Sequence, residues 1–318
     1  MKCPLDGATR SVRLSCARLP QIGQPRWSLT DQGSEADMSH GASPLTDLPE
    51  YERPPVVEVA ISLQFKPLET LRVPHFGMLW SLLRQNGFTK TEEHGQIEPA
   101  FEDFESFGQS HPGVKFQTFD DAPPAPRVWF LNDTETELFQ FQRDRLITNW
   151  KQGATTEPYP RYRAIIGRFK LALETFQSFL NAENLGPLVP TQCEITYVNH
   201  IPVRPADIGN PEQIVSTWAR KYTDDYLSQP EDVRFFARYR MNNNDGTPAG
   251  RLNVSLQPAT RSSDRSPLYV LTLTGRGAPP HQDLNSVFVL FDTQHEWIVR
   301  GFTSLTTPEM HLTWKRIK

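Results

Sequence analysis

Two successive runs of strand, helix, three strands and helix can be traced along this chain, and that order constrains the fold more than any composition figure does. Residues 57–65 alternate apolar side chains (Val57, Val59, Ile61, Leu63, Phe65) with Glu58, Ser62 and Gln64, the period of a strand with one buried face. From Pro74 the spacing becomes helical, with Phe76, Leu79, Trp80 and Leu83 on one stripe and Gly87 where a helix would stop. Short strands are predicted at 127–131, 137–142 and 146–151, with Asn132-Asp133 and Arg143-Asp144-Arg145 as turns. A long helix follows at 160–184, where Tyr162, Ile165, Ile166, Phe169, Leu173, Phe176 and Leu180 recur at helical spacing. The second run reads as a strand at 192–201, a helix at 211–222, strands at 233–241, 251–257 and 268–274, and a helix at 282–305.

Strands joined by hairpins pair antiparallel, so the expected fold class is α+β. It consists of two βαβββα halves, each an antiparallel-rich sheet with a long helix across one face. Joined edge to edge, the halves would make one long curved sheet with helices on one side only. No residue-level repeat accompanies this order, so the duplication rests on the elements alone. The halves are placed at 51–188 and 189–318, after a tail at 1–50. That tail is polar, lacks apolar periodicity and cannot repay the entropy of ordering itself. Arg10, Arg13 and Arg18 give it some character of a targeting segment, and a true start at Met38 is the plainer reading.

With 33 basic and 37 acidic residues, a formal net charge of −4 gives no global attraction to nucleic acid or anionic lipid. No apolar run approaches the ~18 residues that span a bilayer. Three cysteines (Cys3, Cys16, Cys193) make neither a disulfide framework nor a CxxC knuckle, which points to a reducing cytoplasm. No cofactor motif is present.

The segments RPPVVEVAISLQF (53–65), LFQFQRDRLITNW (138–150), YPRY (159–162), CEITYVNHI (193–201) and HEWIVRGFTSL (295–305), followed by HLTW (311–314), resemble an uncharacterised bacterial family described as sporadically distributed. The resemblance covers roughly residue 49 to the C-terminus. It implies bacterial origin and carries no activity or catalytic residue.

One cluster stands out chemically. Between Arg234 and Arg276 lie seven arginines (Arg234, Arg238, Arg240, Arg251, Arg261, Arg265, Arg276) against only Asp245 and Asp264. If Phe235, Ala237, Tyr239 and Met241 face the core, then Arg234, Arg238 and Arg240 face away, beside Arg251, Asn253, Ser255 and Gln257 of the partner strand. Arginine suits planar recognition of carboxylate or phosphate. An ordinary solvated sheet face explains the same residues. A natural counterpart is the acidic stretch 92–121, where Glu92, Glu93, Glu98, Glu102, Asp103, Glu105, Asp120 and Asp121 outnumber the lone Lys115.

Other candidates are weaker. Arg161 and Arg163 at the start of the helix at 160–184 oppose its dipole and would pair with carboxylates or a ligand anion, or simply lie on the surface. Asp292 and His295 share a helix face with Glu296, and His311 follows; they are the best metal-ligand set available, yet no HExxH is present. Cys193 and His200 fall on opposite faces of one strand, which rules out a dyad. Gly275-Arg276-Gly277 lacks the third glycine of a phosphate loop and reads as a strand-to-helix turn. The sequence therefore favours a non-catalytic binding protein whose arginine face (Arg234, Arg238, Arg240, Arg251, with Arg161 elsewhere) takes an acidic protein or a second copy of the chain. Alternatives are a nucleic-acid-associated accessory protein and a metal-dependent hydrolase using Asp292, His295 and His311. No membrane association is expected.

Overall fold

The structure, a computed structural model, describes residues 47–102, 104, 126–153, 158–219, 226–243 and 245–318. The expectations for residues 1–46 lie outside the described residues, as do Asp103, Glu105, Lys115, Asp120 and Asp121 of the acidic stretch. In chain order the elements are β1 (Val56–Phe65), α1 (Val73–Arg84), β2 (Lys90–His94), β3 (Arg127–Leu131), β4 (Glu137–Gln142), β5 (Arg145–Lys151) and α2 (Arg161–Ala182). There follow β6 (Pro190–Pro202), β7 (Phe235–Asn242), β8 (Pro248–Thr260), β9 (Pro267–Gly277), α3 (Leu284–Leu305) and α4 (Pro308–Thr313). The fold is mixed α+β. None of these helices is long and apolar enough to cross a membrane.

The nine strands make one sheet in the order β2-β3-β4-β5-β1-β6-β9-β8-β7. Every neighbouring pair is antiparallel. At the centre β1 meets β6, with Ile61 opposite Ile195 and Leu63 opposite Cys193. Outward from this seam, β5, β4 and β3 follow on one side and β9, β8 and β7 on the other.

Alternation sorts the two faces of the sheet. Val59, Ile61, Leu63, Ile195, Val254, Leu271 and Leu273 lie on one face and are fully buried, and burying each contributes about 1.5–3 kcal/mol. The helices cover this face. Phe76 of α1 packs 5.2 Å from Phe141, Phe176 of α2 packs 4.7 Å from the same ring, and Phe169 of α2 meets Phe291 of α3 edge-on at 5.3 Å. Asp283 caps α3 by accepting from the Ser286 amide at 2.8 Å.

Three local expectations are corrected. Residues 211–222 do not form a helix among the described positions: Pro211–Gln213 is one 3-10 turn, and the next residues go elsewhere. Val215 forms a bridge with Thr306, the Ser216 amide donates to Leu305 O and the Thr307 amide to Ile214 O. Buried Ile214 and Val215 thus gain more from pairing beyond α3 than from another helical turn. The acidic stretch does not begin as loop, because Lys90–His94 pairs with β3 as the edge strand β2. Gly275 and Gly277 belong to β9 rather than to a turn. Their role is close approach: a Cβ on Gly275 would stand 2.9 Å from Gln294 Cβ on α3.

Candidate binding sites on the two faces of the sheet

The helix-free face carries the arginines. Arg240, Arg251 and Arg276 stand directly opposite one another on β7, β8 and β9, and Glu194 of β6 completes the row. Like charges in cross-strand register repel. What relieves them is Glu194, whose carboxylate pairs with Arg276, together with the chain's own segment 97–102, which crosses this face as a strap. Its Ile97 amide donates to Gln142 Oε1 at 3.0 Å, Gln142 Nε2 donates back to Ile97 O at 2.9 Å, and the Ala100 amide donates to Gln64 Oε1 at 3.2 Å. Arg145 Nη2 donates to Glu98 O at 3.2 Å.

The strap ends on the arginine row. Glu102 Oε2 accepts from Arg251 Nη1 at 2.8 Å, and its Oε1 lies 3.5 Å from Arg276 Nη1 and 3.4 Å from Asn253 Nδ2. Its side chain is only 8% exposed and that of Arg251 11%, so the pair is shielded from water. Phe104 then takes the Arg251 guanidinium 4.6 Å from its ring centre and that of Arg240 at 5.7 Å, both within cation–π range.

The sequence-predicted arginines therefore part company. Arg251 is occupied by Glu102. Arg234 lies 3.6 Å from exposed Asp232. Arg238 and Arg240 are exposed and form no ion pair among the described residues. β7 is an edge strand beyond the cover of the helices, so Tyr239, expected in the core, is 38% exposed, while Phe236 shares the arginine side at 64%. Of that expected stripe only Met241 is fully buried.

Sequence reasoning missed a second group on this face. Arg145 is buried with Gln64, Gln140, Gln142, Asn149 and Gln192 around it. Burial holds its guanidinium below the ordinary arginine range, as it does that of Arg127 nearby. The only signal was that Gln and Arg occupied the non-apolar positions of these strands.

The helix face holds a cavity of about 250 Å³ between the start of α2, α3, β6 and residues 48–51. Arg161 of the predicted set lines it, with Tyr159, Tyr162, Arg163, Tyr197, Asn199 and His295. Arg161 has φ +69°, in the left-handed region that favours glycine. Its guanidinium secures that backbone by donating to Tyr51 O at 2.9 Å, 5.7 Å from the Tyr159 ring. Tyr162 lies flat on His295 at 3.8 Å and donates to Asp292 Oδ1 at 2.8 Å. Tyr159 OH donates to Tyr197 OH, which lies 3.1 Å from His295 Nδ1. Burial raises the Tyr197 phenol well above its usual range, pushes that of Tyr159 up to about 12 and holds His295 down at about 3.

Among the described residues no three His, Cys, Asp or Glu side chains gather closely enough to hold an ion. Asp292 serves Tyr162, His295 serves Tyr197, and Nε2 of His311 on α4 lies 2.9 Å from Oγ1 of Thr306, the residue that ends α3. Cys193 faces the helices, fully buried, with its thiol pushed up by burial, and His200 faces the other way. Comparison with family models and with curated proteins finds no match.

Proposed function

We propose that the protein is a non-catalytic binding protein whose helix-free face takes an extended acidic segment of the pattern Glu-x-Phe. The observation that carries this reading is Glu102, shielded between Arg251 and Arg276, with Phe104 against the Arg251 guanidinium. The chain's own strap fills the face, and a partner presenting the same chemistry displaces it. Arg238 and Arg240 extend the cationic surface past the strap and steer such a partner.

The test is a synthetic peptide of residues 95–106 added to two full chains. A tethered strap competes at an effective concentration on the order of millimolar, so the wild type takes up the peptide weakly. Glu102→Ala/Phe104→Ala weakens the strap and should bind the peptide at least about tenfold more tightly, with loss at high salt. Equal binding by both chains, or by neither, refutes the reading.

We infer as well that the two halves descend from one unit. The support is the strand order, which runs β3-β4-β5-β1 and then β6-β9-β8-β7, each half counting outward from its own first strand. A backbone superposition that fails to bring β1, β3, β4 and β5 onto β6, β7, β8 and β9 sinks this inference.

A further inference from the structure

We propose that the cavity on the helix face binds a small hydroxyaromatic carboxylate, with the carboxylate at Arg161 and Arg163, the ring among the apolar walls and the hydroxyl at Asn199 and His295. The site is separate from the arginine face and does not rest on the reading of that face.

Two arginines place cationic charge at the mouth, which also has Glu50 in its lining and Asp292 near Arg163. The first three residues of α2, Arg161 to Arg163, line the cavity, and this 22-residue helix has no side-chain cap and no acidic residue in its first turn. Two cations thus sit at the helix end that already carries partial positive charge, an arrangement that a negative ligand group stabilises.

The floor is set by a proton inventory. Tyr159 OH donates to Tyr197 OH, so the one proton of Tyr197 is free to go to His295 Nδ1. A neutral imidazole that accepts at Nδ1 carries its proton on Nε2, and Nε2 has no partner among the described residues. Asn199, in the lining of the same cavity, is 1% exposed and donates its Nδ2 to Leu271 O at 3.0 Å, while its Oδ1 has no partner among the described residues. A buried acceptor left unpaired is destabilising. The floor therefore offers one donor and one acceptor, the complement of a ligand hydroxyl group.

The walls decide the rest. Val56, Leu273, Ile298, Val299 and Phe302 are apolar, and the stacked Tyr162–His295 pair presents flat rings. A volume of about 250 Å³ falls just under the roughly 300–1,000 Å³ of drug-sized sites, which limits the ligand to a single ring with short substituents.

The test titrates the full chain by calorimetry with 4-hydroxyphenylacetate, phenylacetate (no hydroxyl) and tyrosol (no carboxylate). The expected result is a Kd below about 1 mM for 4-hydroxyphenylacetate and at least about tenfold weaker binding of each of the others. Arg163→Gln, an exposed substitution that leaves folding intact, should weaken both carboxylates by at least about fivefold and leave tyrosol unchanged. Absence of binding by all three up to about 10 mM, equal affinity for all three, or an Arg163→Gln chain that binds 4-hydroxyphenylacetate like the wild type overturns the assignment.

Discussion

His295 gives the acid side of the stability curve a defined shape. Its imidazole titrates near 6.5 when unfolded and is held down at about 3 by burial in the folded chain. Between these values the unfolded chain binds a proton that the folded chain refuses. The stabilisation is therefore fully present above pH 6.5 and is lost as pH falls toward 3. From pH 7.5 to 5.0 the loss amounts to about 2 kcal/mol, with a limiting slope of about 1.4 kcal/mol per pH unit. His295→Asn keeps an acceptor for Tyr197 OH and removes the titration. Urea unfolding of both chains at half-unit pH steps measures the difference directly. His200 and His311, also depressed by burial, remain in both chains and cancel. Asp292, raised by burial, acts in the opposite sense as carboxylates begin to protonate, which is why the window closes at pH 5. The wild type should fall about 2 kcal/mol toward the variant across the window. Parallel curves within about 0.5 kcal/mol would mean that His295 protonates freely in the folded state, and the tautomer argument would go with it.

Three further outcomes follow. Glu102→Ala should speed exchange of the Ile97 and Ala100 amides by roughly 10- to 100-fold, since a hydrogen bond to a charged group contributes about 1.5–3 kcal/mol, with far smaller changes in β1 and β6; uniform acceleration across the sheet would contradict a locally released strap. Gly275→Ala places a methyl 2.9 Å from Gln294 Cβ and should cost about 1–3 kcal/mol in urea unfolding, whereas Gly95→Ala meets open space and should be near neutral; equal costs would show that α3 does not rest on β9 as described. Cys193 should react with a thiol reagent only at the rate of global unfolding, and prompt labelling in native buffer would contradict its complete burial.

The sheet was legible because its signal is local. The apolar alternation of 57–65 and the stripes of α2 and α3 depend on period alone, and they become β1 and the two long helices within a few residues of the expected bounds. The hairpins β3-β4-β5 and β7-β8-β9 follow from short turns, whereas β5–β1, β1–β6 and β6–β9 join strands distant in sequence. What could not be read depends on tertiary competition. Ile214 and Val215 have a helical neighbourhood in sequence but bury themselves against the chain leaving α3, a contact some ninety positions away. KTEEH carries no strand signal, because an edge strand with both faces wet needs none.

The binding features divide along the same line. Alternation placed Arg240 and Arg251 on one side of the sheet, whereas Arg276 read as part of a turn, and the alignment of all three into a single row is a matter of register, which no periodicity fixes. Once they are aligned, mutual repulsion makes an internal anion the expected consequence, and Glu194 of β6 and Glu102 of the acidic stretch supply it. The cavity had weaker precursors. Tyr159, Tyr162, Tyr197 and His295 come from a loop, a helix start, a strand and a second helix, and each alone reads as core. What distinguishes them is that the Tyr159 and Tyr197 hydroxyls lead to the His295 imidazole and that of Tyr162 to Asp292, while Asn199, two positions along β6 from Tyr197, keeps an acceptor with no partner among the described residues. A pure packing core would have placed apolar groups there, since burying both partners of a polar pair without need costs more than replacing them. The two arginines at the mouth were visible from the sequence as a violation of helix polarity, and that violation becomes intelligible once a cavity opens beside it.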